Sequence, residues 1–381
     1  MDYFITEYNK DSIELPDAEC AVLEDSIMHK GRLVTAGSGI LGNFVSPLNA
    51  TVVTRIETAG IHISGKTIMD EFGIAGLFPD EQPEHSGAVS AVADGIAAFA
   101  LCNDYTGAVG QQAAARGLYY LQPTYGTVSR YGLIPAVPSM DQIGIVCKTP
   151  EDGFRILSII SGHDPKDGAM YARGQGTGEK GQRIVNPDRP LTIGIPKNIF
   201  AGTQGSASSA GFIGIGLTGN FDTVEIELKY FDVYAQVMQI LCFAELSGNT
   251  SRYDGIKYGY RTDSFADLQE LYIKSRTEAL GQNAKLASIL GAMVLSQENY
   301  SRYYDKAMRI RRLIRDSLEF DKYNVIVLPV PDTTSNYRLE QCALPRLCGL
   351  PAVTAPVAGG ITLVADVNHE DDLFAVLKEV R

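Results

Sequence analysis

Four side chains carry a hydroxyl or thiol in segments that could turn it into a nucleophile: Ser38, Ser86, Cys102 and Thr106. Two potential bases, Glu84 and His85, stand directly before Ser86. Covalent catalysis on a carbonyl needs such a nucleophile, a base within hydrogen-bond reach and preformed donors for the oxyanion. Each of the four also has a plain structural use. Ser86 can cap a helix, Thr106 can form a turn, Cys102 can fill a buried strand and Ser38 can serve as a loop polar group. Asp104, Thr106, Gly107 and Gln111 bring carboxylate, hydroxyl, amide and backbone donors into one short stretch and read as ligand-binding candidates.

The elements that must position these groups are legible around them. Gly87 to about Gly95 is rich in Ala and Ser, the composition of a helix that packs closely on a sheet because little side chain separates the backbones. The apolar run Ala97–Cys102 predicts a buried strand. It ends in the polar loop Asn103–Gly110, followed by a second Ala-rich segment, Gln111–Arg116. Loops at the carboxyl ends of strands are where α/β proteins usually hold ligands.

Composition sets the frame. The chain has 381 residues, 45% of them hydrophobic and 20% charged, enough for a substantial core. A formal charge of −12 argues against direct nucleic-acid binding, which needs a cationic face to neutralise phosphates. The acidic start, MDYFITEYNKDSIELPDAEC, lacks the apolar core of a signal peptide, and no run is long enough to span a membrane. Six cysteines without CxxC pairing read as reduced thiols of a cytoplasmic protein. No metal cluster or P-loop is present, so no cofactor is expected.

The stretch from Glu84 to Gly126, with Gln122-Pro-Thr-Tyr-Gly-Thr-Val-Ser-Arg-Tyr-Gly-Leu133 and Ser139-Met-Asp-Gln-Ile-Gly144, resembles the amidase signature family. Within it the closest resemblance is to the A subunit of the glutamyl-tRNA(Gln)/aspartyl-tRNA(Asn) amidotransferase. The match extends over roughly 35–365, including Lys66-Thr-Ile-Met-Asp-Glu-Phe72, Ser251-Arg-Tyr-Asp-Gly-Ile-Lys-Tyr-Gly-Tyr-Arg261 and Leu290-Gly-Ala-Met-Val-Leu-Ser296. The resemblance implies a mixed central β-sheet flanked by helices, with 1–34 a divergent N-terminal segment and 35–381 a single amidase-like domain.

Family members hydrolyse amides with a Ser nucleophile, a second Ser after a cis peptide and a Lys. The family's G-T-D-T-G-G-S-I-R-Q run, laid here without gaps, becomes Cys102-Asn-Asp-Tyr-Thr-Gly-Ala-Val-Gly-Gln111 and puts Ala108 at the nucleophile. The second serine falls on Glu84, or on His85 if one residue is skipped. The lysine strand, an I-K-D-N motif, reads as deleted before Gly31; Lys30 is the only lysine nearby, and Lys66 is not the family's catalytic lysine. Tyr253 lies in a family motif and joins the ligand-binding candidates, whereas the family's carboxylate-holding arginine falls near Ala287 and an upstream aspartate near Leu339.

These departures imply a catalytically inactive protein that serves as a partner subunit, scaffold or small-molecule binder. A partner would be an amidotransferase-like subunit or a second copy, and a ligand a small amide or carboxylate. The alternative is an active amidase or amidotransferase with a rebuilt nucleophile. Other features have simpler readings. His163 follows a helix end and reads as structural. Gly214-Ile-Gly-Leu-Thr-Gly219 has the GxGxxG form but precedes a strand-like Val224-Glu-Ile-Glu-Leu228, not a helix, so it reads as a Gly-rich connection. The basic run Arg302, Lys306, Arg309, Arg311, Arg312, Arg315 is interleaved with acids, as on a solvated helix face.

Overall fold

A computed structural model describes residues 3–8, 19–78, 85–170, 190–200, 221–330 and 339–379. Glu84 and the GxGxxG segment lie outside the described residues. The strands are β1 (Phe4–Glu7), β2 (Cys20–Glu24), β3 (His62–Thr67), β4 (Phe99–Asn103), β5 (Tyr119–Gln122), β6 (Ile143–Cys147), β7 (Thr192–Pro196), β8 (Asp222–Ile226), β9 (Val325–Pro329), β10 (Ala352–Ala355) and β11 (Ile361–Ala365). They form one sheet in the order β1-β3-β2-β4-β6-β5-β10-β11-β9-β7-β8. It is mixed, as expected: β2 runs parallel to β3 and β4, and β7 parallel to β8 and β9, while the other pairs are antiparallel. Both β1 and β2 belong to this sheet, so residues before position 35 help build its core.

Alternation along the central strands splits the core in two. Ala21 and Leu23 of β2, with Phe99 and Leu101 of β4, join the larger cluster. Val22, Ala100 and Cys102 point the other way into a smaller cluster with α2 (Gly87–Ala93) and Ala113 of α3 (Ala108–Ala115). The small-residue helix does pack closely: a Cβ on Gly87 would lie 2.7 Å from both Ile68 Cγ1 and the Tyr3 carbonyl oxygen. The loop after β4 is shorter than the sequence suggests, because Ala108, Val109 and Gly110 already belong to α3.

Around the larger cluster lie α1 (Thr51–Thr58), α4 (Pro150–Ile160), α5 (Lys197–Phe200), α6 (Tyr234–Thr250), α7 (Leu268–Ala279), α8 (Gln282–Leu295), α9 (Tyr304–Asp316), α10 (Leu339–Cys348) and α11 (Glu370–Glu379). The start of α4 follows its sequence signals: Thr149 Oγ1 accepts from Asp152 N at 3.2 Å, Pro150 takes the first helical position, and Glu151 and Asp152 complement the positive end.

Helix α8 has two stripes. Ala284, Ala287, Gly291 and Val294 are buried, and Gly291 lies so close to α6 that a Cβ would sit 1.9 Å from the Phe243 carbonyl oxygen. Leu286, Ile289 and Met293 form an outward stripe, with Ile289 66% exposed. Leu268 and Ile273 on α7, and Met308 and Leu313 on α9, are exposed as well. No described helix is long and apolar enough to cross a membrane. None of the six cysteines forms a disulfide: Cys102, Cys147 and Cys242 are buried, and Cys20, Cys342 and Cys348 half-buried.

Candidate functional site

The loop from β4 to α3 is held by Asp104. Its Oδ1 accepts from Gly107 N at 2.8 Å and its Oδ2 from Gly110 N at 2.9 Å. Arg346, on α10, donates to the same Oδ2 at 3.0 Å and, through Nε, to the Asp104 carbonyl at 2.9 Å. This ion pair is almost wholly buried, so two charges taken from water are balanced against each other and against N–H dipoles. Gly107 is left-handed, at φ +99, and a Cβ there would lie 2.5 Å from Cys342 Cβ. Helix α10 therefore sits directly on the loop.

Ala108 opens α3 with its methyl group buried. Thr106 Oγ1 accepts from Ala108 N at 3.4 Å, and Gln111, also buried, donates its backbone N–H to the Gly107 carbonyl. The sequence pointed to the Gly107 N–H as a free donor; it is already bonded to Asp104. Tyr105 donates its hydroxyl to the Phe72 carbonyl at 2.8 Å, and the Phe72 ring lies parallel to that of Tyr253, with centroids 5.7 Å apart. Burial pushes the Tyr253 phenol well up, and Ala287 is buried in the same core cluster.

A second polar cluster lies at the carboxyl end of β2, where the sequence suggested a deletion. The strand is present, and Leu23-Glu24-Asp25-Ser26 can be laid on the I-K-D-N pattern with Glu24 at the lysine. Glu24 Oε1 accepts from Ser26 Oγ at 2.6 Å and from Asn103 N at 3.3 Å. Burial lifts its carboxyl to about 8. Lys66, fully buried on β3, reaches Asp25 Oδ1 at 3.2 Å and the carbonyls of Asp25 and Ile27 at 3.2 and 2.6 Å. Burial lowers its ammonium to about 8. Asn103 links this cluster to Asp141, donating to Oδ1 at 2.9 Å, and the buried Asp141 carboxyl is raised to about 6.

The remaining candidates are spread out. Ser86 caps α2, accepting from Val89 N, and its own N–H is held by Gln112 Oε1 at 2.7 Å. His85 is exposed. Cys102 lies in the small cluster, its thiol pushed well up by burial. Ser38 caps a turn at Gly39–Leu41 and donates to Glu71 Oε1 at 2.5 Å. Lys30 is exposed, and its backbone N–H donates to Asn49 Oδ1. His163 is exposed, with its carbonyl bonded to Arg55. Of the basic run, Arg309 pairs with Asp305, Arg312 with Asp316 and Arg315 with Asp366. No cluster of three metal-ligating side chains occurs among the described residues.

Sequence reasoning missed Glu24, Ser26 and Arg346. An apolar run ending in Glu-Asp-Ser was the available signal for the first two. Arg346 announced itself only through its spacing of four from Cys342 on one helix face.

The model of the family described as amidase matches residues 21–76 and 86–357, so the strand carrying Glu24 falls within it. The chain belongs to the amidase family. It is 33% identical over 402 residues to the A subunit of the glutamyl-tRNA(Gln) amidotransferase of Acinetobacter baumannii, covering 93% of this chain and 80% of that protein. It is 34% identical over 374 residues to the protein of the same name from Nitrosomonas europaea, covering 88% and 76%. Among solved structures it shares the fold of the A subunit of the glutamyl-tRNA(Gln) amidotransferase of Thermotoga maritima, with a TM-score of 0.73 and 24% identity over 99% of this chain and 86% of that one. It also shares the fold of a 6-aminohexanoate cyclic dimer hydrolase, with a TM-score of 0.70 and 16% identity over 95% and 84%. This amidase-family chain thus carries its match on both sides of 77–85, the segment that holds Glu84 and His85.

Proposed function

We propose that this chain is a catalytically silent member of the amidase family that works as the partner subunit of a larger assembly. The observation that carries the proposal is the state of the loop after β4. A methyl group stands at Ala108, the Gly107 and Gly110 N–H groups are bonded to Asp104, and α10 packs against the loop through Cys342 and Arg346. A methyl group cannot attack a carbonyl, and donors already bonded within the chain are not preformed for an oxyanion. The partner role is supported by the apolar residues left outside on α7, α8 and α9. It is supported too by relatives whose name is that of one component of a complex.

Ammonia release from glutamine, asparagine and a panel of simple amides tests the proposal, with an active family member measured alongside. The expected result is no release above buffer while the control turns over, and co-purification of a second protein from native extract. Release that survives purification and disappears in a single-residue variant would overturn it.

One observation favours a rebuilt enzyme instead. Ser26 Oγ lies 2.6 Å from the buried Glu24 carboxyl, which sets a hydroxyl beside a group that becomes a base once it ionises near pH 8. On that reading Ser26→Ala abolishes turnover while Thr106→Ala and Ser86→Ala leave it unchanged.

A further inference from the structure

The loop between β5 and β6 and the segment after α4 line a solvent-open cleft of about 180 Å³ that the loop chemistry above does not use. It lies at the carboxyl end of β4, since Asp141 in its wall is bonded to Asn103. Leu133, Pro135 and Pro138 supply an apolar wall. Its charged groups are Arg130, Asp167, Asp141 and Lys166.

Three of these four charges are already satisfied. Arg130 holds Asp167 in a two-pronged pair, with Nε to Oδ2 at 3.0 Å and Nη2 to Oδ1 at 2.8 Å. Asp141 accepts three N–H donors, from Asn103, Ala136 and Val137. Lys166 is different: its ammonium lies 4.8 Å from the centre of the Tyr131 ring and makes no ion pair with a carboxylate among the described residues. The ring fixes an exposed cation beside the pocket without neutralising it, and the Asp164 carboxylate is a charged neighbour that forms no direct pair with the ammonium.

We propose that this pocket binds a small monocarboxylate, with its carboxylate on Lys166 and its short apolar body against Leu133, Pro135 and Pro138. The volume is close to that of a cavity that takes benzene, so the body is about four to six carbons. The ligand site is independent of the silent loop and stands whether or not the chain turns over an amide.

The test is titration of the full-length protein with butyrate and benzoate, followed by calorimetry or amide chemical shifts, against butyramide and benzamide as neutral isosteres. Saturable binding of the acids is expected, weaker by about tenfold or more for the amides and for Lys166→Met, since a charge-assisted contact is lost. Lys166→Arg keeps the charge and retains binding. Lys166 is exposed, so an unchanged melting temperature shows that the Met variant is folded. The proposal is overturned if the acids show no saturation, if acid and amide bind alike, or if Lys166→Met binds as the native chain does.

Discussion

The sheet's carboxyl edge and the outer layer formed by α7, α8 and α9 treat unlike groups in opposite ways. At the sheet edge, charged and hydroxyl side chains are taken inside and matched: Lys66 with Asp25, Glu24 with Ser26, Asp104 with Arg346. In the helical layer, apolar side chains such as Ile273 and Ile289 are left in water. The first arrangement is closed within one chain, because in each of these three pairs the partner comes from the same fold. The second buries its inner stripe and leaves an outer one uncovered. This contrast places the uncovered apolar surface on the helices and the matched charges beneath the loop after β4.

The contrast can be broken at four points, in order of effect. Asp104→Ala removes the carboxylate that serves Gly107, Gly110 and Arg346, and should cost ~4 kcal/mol in chemical denaturation. Gly291→Ala drives a methyl group into the Phe243 carbonyl on the inner stripe of α8, and should cost ~3 kcal/mol in the same measurement.

Glu24→Gln should act through pH. The folded carboxyl is raised from the ordinary 4.5 to about 8, so its contribution is fully present below pH 4.5 and is lost as pH rises toward 8. The amide cannot ionise. The variant should therefore be more stable than the native chain at pH 8 and match it at pH 4.5, read from melting curves at the two values. Lys66 has the opposite sign, its contribution being lost as pH falls from its ordinary 10.5 to about 8, so the Glu24 window lies below it. Last, Ile289→Lys on the outer stripe should change the stability of the isolated chain by less than ~0.5 kcal/mol. Its effect should appear as loss of the co-purifying partner; an unchanged yield would remove the helical layer from the interface.

Much of the fold was legible because its signals are local. The strand at Phe99–Asn103 and the capped start at Thr149 follow from an apolar run and cap chemistry within a few residues. The Glu24 strand was hidden because an acid stands where a buried strand end is expected to be apolar, and only tertiary partners make that burial tolerable. The clamp on the loop was hidden for a different reason. Asp104 and Arg346 are separated by 242 residues, and no periodicity connects them. Conversely, Ser86 and Ser38 look reactive in sequence because cap and nucleophile draw on the same hydroxyl chemistry; in the fold each serves as a cap.

The distribution of thiols turns the molecule into a gauge of its own openings. Cys102, Cys147 and Cys242 are enclosed and their thiols are pushed up by burial, so a thiol reagent reaches them only through excursions that expose the sheet. Cys342 lies on the helix that covers the loop, beside Gly107. Lifting of α10 would raise the reactivity of this half-buried sulfur while the three inner ones stay dark. The order in which the cysteines are trapped therefore separates a local release at the loop after β4 from unravelling of the whole chain, without any label having to be introduced.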